Sequence, residues 1–366
     1  MISRQRARVA VVGAGLAVAT AGSALAALSP AQAATPPGWR LVSTIHQGAA
    51  AGINGLSSVI SPARGDSWAF GGSDVSGATP GTPIAEHWGG LRWRAAALPG
   101  GLTGVLGASS AAGPSDIWVV SQRSGYVLHY NGVKWSVAKQ FKENQGLPLE
   151  LTGVIAFSPA NVWVFGGPGA YPGLGTWHLH GRTWTKVTGV GGAIGTASAV
   201  SASNIWAIGA NASAPADIIV RYNGRTWQQQ KSAALANVTF SGILAQSATS
   251  VWVTGSSYTD NHNVPRLLHY NGKTWTRVAV PWPVPLGAPV PDGGGGIWAP
   301  SAGTDPSDWY ALHRSGTGVW RHYLVTKTGQ AYALGLIWRS ASLWDVGLSS
   351  NLAGGSAAVW GYGPRA

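Results

Sequence analysis

Four aspartates of a chain with only 12 acidic residues among 366 fall within three neighbouring segments, each carrying aromatic residues. The segment SSYTDNHNV holds Tyr258, Asp260 and His262. The proline-rich stretch VPWPVPLGAPVPDGGGG holds Trp282 and Asp292, and SAGTDPSDW holds Asp305, Asp308 and Trp309. Carboxylates beside exposed rings suit a carbohydrate, because the rings stack on apolar sugar faces while the acids accept hydroxyl hydrogen bonds. The same oxygens could ligate calcium. A glycoside hydrolase would need two of these acids flanking one bond. The competing expectation is plain turn chemistry, since Asp and Pro are favoured in solvated loops whatever they bind.

Other chemistry is sparse. His178 and His180 are two residues apart, a spacing that puts both on one face of a strand and could hold a metal. His180, however, falls where Asn131, Asn223 and Asn271 begin sharp turns elsewhere in the chain. The three glutamates, Glu86, Glu143 and Glu150, form no pair in sequence. There is no cysteine, which excludes disulfides, thiolate metal sites, iron–sulfur clusters and a cysteine nucleophile. Neither a G-x-S-x-G elbow nor an H-E-x-x-H zinc motif is present. Few acids in a basic chain favour binding over catalysis, and no cofactor is implied beyond that possible calcium.

The elements that must position these residues come from a repeat of about 46 residues. Trp68, Trp118, Trp163, Trp206, Trp252, Trp298 and Trp344 each follow a turn-like pair, with successive spacings of 50, 45, 43, 46, 46 and 46. A second set, Trp93, Trp135, Trp184, Trp227, Trp275 and Trp320, follows sharp turns such as HYNGVKW and HYNGKTW. Its seventh member is Trp39, at the opposite end of the chain. The fold class is therefore all-β, a seven-bladed β-propeller of four-stranded blades, with the last blade closed by the N-terminal strand around Trp39. Closing a ring in this way leaves no unpaired end sheet. The Asn-Gly pairs predict two-residue hairpins with positive φ at both positions. Fourteen of the 20 tryptophans occupy the two repeat positions, so they are expected to pack the core and the blade interfaces. His87, His129, His178, His269 and His313 recur at one position, with Arg221 in the fourth blade, and are expected to serve blade structure.

Phe70-Gly71-Gly72 and Phe165-Gly166-Gly167 end two second strands, and an aromatic residue or His precedes a Trp after the hairpin turn. On these features residues 38–366 resemble a secreted bacterial propeller of the kelch type, the family that includes the central domain of galactose oxidase. The resemblance implies architecture alone. The galactose oxidase cofactor requires a tyrosine cross-linked to a cysteine, which this chain lacks.

Strand order puts the Asx and Asn-Gly turns on one face of the ring. The loops between strands two and three, and those between blades, share the other. These vary in length, and binding residues on rigid scaffolds concentrate on such loops. The expected ligand-binding set is accordingly Tyr258, Asp260, His262, Trp282, Asp292, Asp305, Asp308 and Trp309.

Residues 1–33 read as a signal peptide, with Arg4, Arg6 and Arg8 before an apolar stretch and Ala31-Gln32-Ala33 as the cleavage site. The mature chain, 34–366, is then a single propeller domain, secreted and expected to be monomeric, with no membrane span. Losing three arginines takes the net charge from +12 to +9, still basic enough to attract acidic partners. The expected partner is an extracellular glycan or an anionic cell-envelope polymer, with a propeller hydrolase or lyase and a protein-interaction platform as the alternatives. Nucleic acid is a poor partner for an exported protein whose basic residues are scattered over the blades.

Overall fold

The computed structural model describes residues 38–46, 54–73, 81–142, 150–167, 174–210, 217–259, 262–305, 307–336, 342–351 and 354–363. Residues 1–33, read as a leader, lie outside this set. The chain from Trp39 onward forms seven four-stranded antiparallel sheets. Blade three shows the unit: Leu151–Ser158, Asn161–Gly166, Thr176–His180 and Thr183–Val187, paired in chain order. First strands of successive blades contact one another, so strand one lines the axis and strand four the rim. Among the described residues the one helical element is a short 3-10 turn, Ala233–Leu235, capped by Ser232.

The seventh blade is built from both ends of the chain, as the displaced Trp39 requires. Gly329–Leu336, Leu343–Asn351 and Gly354–Tyr362 supply three strands, and Trp39–Ile45 supplies the outermost. Trp39 pairs with Tyr362 and Ile45 with Ala357. The ring closes on backbone hydrogen bonds.

The core lies between blades rather than within them. Each strand-two Trp is only 0–5% exposed. The Trp that opens strand four of the next blade meets it edge-on: Trp135 on Trp68 at 5.4 Å, Trp227 on Trp163 at 5.8 Å and Trp93 on Trp344 at 5.3 Å between ring centroids. A Tyr just before the hairpin adds a second contact, as Tyr130 does on Trp68 at 4.8 Å. In blade six that residue is Arg314, whose guanidinium lies 5.0 Å over Trp252. Burying ~200 Å² of indole is worth up to about 5 kcal/mol, against about 1 kcal/mol for a typical hydrogen bond. The tryptophans therefore hold the ring, and the polar contacts around them set its register.

The Asn-Gly turns differ from expectation in one respect. Gly132, Gly224 and Gly272 take φ of 88°, 91° and 93°, but their asparagines do not share the left-handed region. Instead each Asn side chain accepts two amides; Asn131 Oδ1 takes those of Val133 and Lys134 at 3.0 Å each. Satisfying two backbone donors from the side chain removes the need for a left-handed asparagine.

Candidate functional site

The repeat histidines are engaged within their own blades. His129 stacks on Trp118 at 4.2 Å and its Nε2 lies 2.9 Å from Asp116 Oδ1. His178 stacks on Trp163 at 4.1 Å and bonds Asn161 at 2.9 Å. Partial burial first, and then neighbouring His180, lower the His178 pKa below its ordinary value near 6.5. Burial and Arg314 do the same to His269, which reaches Ser250 at 3.1 Å. Arg221 takes the position in blade four, its Nε donating to Asn204 at 3.0 Å. Among the described residues no group of three or more His, Asp or Glu side chains is arranged to hold a metal ion.

The same motif accounts for one residue of the expected set. Asp292 begins the turn between strands one and two of blade six, at the end of the blade opposite the variable loops. Its Oδ1 accepts the amides of Gly294 and Gly296, both at 2.7 Å, and its Oδ2 lies 2.9 Å from His313 Nε2. Burial raises its pKa, but the His313 bond and the two amides outweigh this and hold it below the usual carboxylate value. Asp292 thus sits where Asp66, Asp116, Asn161, Asn204 and Ser250 sit in blades one to five.

On the variable face the structure forms a cleft of about 600 Å³ at the rim of blade five. Its origin is a mismatch in strand length. Strand three, His262–Tyr270, pairs with strand four only from Leu267, which faces Val278. Residues His262–Arg266 therefore keep only their pairing with strand two while the chain beyond Ala279 turns away to blade six, and a notch opens on the side that strand four leaves uncovered. It is lined by His262, Arg266, Arg277, Val280, Trp282 and Pro283, among others.

Two of the expected residues, His262 and Trp282, line this notch. Tyr258, 72% exposed, is the register partner of its wall residue Asn263. Trp282 is anchored, with its Nε1 donating to Ser301 Oγ at 3.0 Å and its ring 5.0 Å from Tyr310 and 5.1 Å from His322. Asp308 joins through Tyr310, whose hydroxyl donates to Asp308 Oδ2 at 3.3 Å. Burial and then the Asp308 charge raise the Tyr310 pKa, so its proton stays in that bond. Asp305 is exposed and accepts the Ser307 amide at 2.9 Å, an Asx turn that lowers its pKa. Trp309 packs with Trp39 in the cluster between blades six and seven, away from the notch. Asp260 lies outside the described residues.

Sequence reasoning missed Arg266 and Arg277. Arg266 Nε donates to Ser257 Oγ at 3.0 Å. Arg277 Nε and Nη2 donate to the carbonyls of Ala234 and Ala236 at 2.9 and 2.7 Å. Neither guanidinium pairs with a carboxylate among the described residues, so both keep N–H donors for a ligand. Both lie inside strands, Arg266 three residues before His269 and Arg277 two after Trp275. The repeat absorbs them, and only the splayed strands expose them as a pair.

No family model and no curated protein matches the sequence. Among solved structures the chain is similar to YCF48 bound to D1 peptide, with 13% identity, 92% of this chain and 99% of that one covered, and a TM-score of 0.57. It is also similar to a catalytically inactive virginiamycin B lyase from Staphylococcus aureus with quinupristin (10% identity, 89% and 100% covered, TM-score 0.60). A third is the GH74 xyloglucanase from Xanthomonas campestris (15% identity, 88% and 53% covered, TM-score 0.57), of which this chain spans about half the length. At such identities the likeness is one of fold. The kelch-type resemblance likewise holds for architecture and not for family, since these neighbours are other kinds of propeller. Among the described residues no helix is long and apolar enough to cross a membrane.

Proposed function

We propose that this protein is an exported, non-catalytic propeller that holds an acidic extracellular glycan at the blade-five notch. The observation that carries this reading is the pair Arg266 and Arg277, without carboxylate partners among the described residues, flanking a cleft that also presents Trp282 and His262. A guanidinium matches a carboxylate or phosphate oxygen pair bidentately, and an aromatic ring offers a flat apolar face to a sugar. The basic mature chain adds long-range attraction for such a polymer. A hydrolase or lyase is less well supported. Asp292 is bound up in a turn at the far end of its blade, so it cannot flank one glycosidic bond together with Asp305 or Asp308.

The test is retention of the mature chain on immobilised polygalacturonate and on neutral dextran over a salt series. Selective retention on the acidic matrix is expected, weakening as salt screens the charges. His262→Ala and Arg266→Gln, both on the notch face of strand three, should each weaken it by about tenfold, equivalent to ~1.4 kcal/mol. These variants are preferable to Trp282→Ala, which would also remove the packing on Tyr310 and His322. Equal retention of wild type and both variants, or preference for dextran, would refute the reading. A blank on both matrices would favour a protein partner instead.

A further inference from the structure

Blade four has a notch at the equivalent place. Strand three begins at Asp217, strand four ends at Gln229, and a second cleft of about 380 Å³ opens beside them. Its lining includes Gln229, Gln230, Lys231, Ser232 and Asn237, together with Asp217, whose Oδ2 accepts the Phe240 amide at 2.7 Å. The connection Ser232–Thr239 lines the blade-four cleft, and the arginines of the blade-five notch hold it from the other side. Arg277 clamps the Ala234 and Ala236 carbonyls. Arg266 donates to Ser257 Oγ, which in turn donates to the Asn237 carbonyl at 2.6 Å. Asn237 is the one non-glycine residue with positive φ among the described residues, at 56°. Such a conformation persists where surrounding contacts over-determine it.

Neighbouring blades therefore present two clefts joined through the arginines' hydrogen bonds, with Lys231, Gln229 and Gln230 in the first and Arg266 and Arg277 in the second. We infer that the clefts are consecutive subsites for a single linear acidic chain lying along the rim from blade four to blade five. The inference rests on the reading that the blade-five notch binds an acidic glycan. It adds that a ligand of one or two sugars fills only part of the site. Carboxylates spaced along the chain meet Arg266 and Arg277 in one notch and Lys231 in the other, while Gln229 and Gln230 offer donors and acceptors to hydroxyls. A chain that engages both notches gains from the raised local concentration at the second once the first is filled.

The experiment is calorimetric titration of the mature chain at low salt with oligogalacturonides from the disaccharide to the octasaccharide. Wild type is compared with the double variant Gln229→Ala/Lys231→Ala, both exposed positions whose folding is checked by thermal melting. Affinity is expected to rise on the order of tenfold or more with length. The double variant should lose that rise while keeping wild-type affinity for the disaccharide. Binding that is flat with length overturns the two-subsite inference and leaves the blade-five reading standing. A length-dependent gain that survives in the double variant also overturns it, because the second contact must then lie elsewhere. No binding at any length overturns both.

Discussion

At the scale of single residues, the difficulty is separating chemistry from turn-making, and Asp292 shows how the two are told apart. Its three hydrogen bonds order a glycine-rich turn and orient His313 against Trp298, whose ring lies 4.3 Å away. Asparagine holds the corresponding side chain in blades three and four, His178 and Arg221. Asp292→Asn should therefore change stability by less than about 1 kcal/mol, whereas Asp292→Ala strands two amides and a ring nitrogen and should cost about 2–3 kcal/mol. Urea denaturation measures both, and polygalacturonate retention of the folded fraction should be unchanged in each. Weakened retention in the folded Asn variant would return Asp292 to the site. The arginines behave oppositely: Arg266 has no carboxylate partner among the described residues, so its replacement is expected to register in binding.

At the scale of the element, the double glycine of Phe70-Gly71-Gly72 has a packing cause. Strand one of blade one shifts register between Leu56 and Ser58, and this irregularity brings the Gly55 carbonyl over strand two. A Cβ on Gly71 would run into that carbonyl, and one on Gly72 would meet Val105 of blade two. Gly209 and Gly255 stand in the same relation to the Ala193 and Thr239 carbonyls in blades four and five. Gly71→Ala should cost roughly 1–3 kcal/mol, the usual penalty for overpacking a tight interior. Gly55→Ala, where an added Cβ has nothing within 4 Å, is the control and should be near neutral. Equal denaturation midpoints for the two variants would remove the close-approach explanation. A similar local irregularity, strand three outrunning strand four, makes the notches. Small departures from regular pairing thus account both for a recurring motif and for the candidate site.

At the scale of the whole molecule, stability depends on closure. Strand Trp39–Ile45 covers the edge of Gly354–Tyr362, and the Trp39 ring packs 5.5 Å from Tyr362. Removing residues through Ile45 should leave a bare strand edge beside a half-open aromatic cluster. The truncated chain is expected to melt several degrees lower and to associate, since an unpaired edge is a template for another chain. Light scattering and thermal melting check this, and a synthetic peptide of residues 37–46 should partly restore the midpoint. An unchanged midpoint in the monomeric truncated chain would mean that closure contributes little. Closure also bears on binding, because the two-notch rim keeps its geometry only while blades four and five are held at fixed spacing by the ring.

Blade number, strand count, the split seventh blade and the inward role of fourteen tryptophans were legible in the amino-acid order. Each follows from spacing along the chain, and a repeat states its spacing outright. Local turn chemistry was legible in kind, though the Asx geometry of Asn131, Asn223 and Asn271 was not, because side-chain acceptance of two amides competes with left-handed φ in a way composition does not reveal. Of the residues singled out in the sequence, His262 and Trp282 line one cleft, and Asp308 contacts it through Tyr310. Tertiary structure alone decided that Asp292 belongs to the opposite face and that Trp309 is packing. It alone drew Arg266 and Arg277 together, because whether two strands stay paired or splay apart depends on the neighbouring blades they pack against, and those lie far away in sequence.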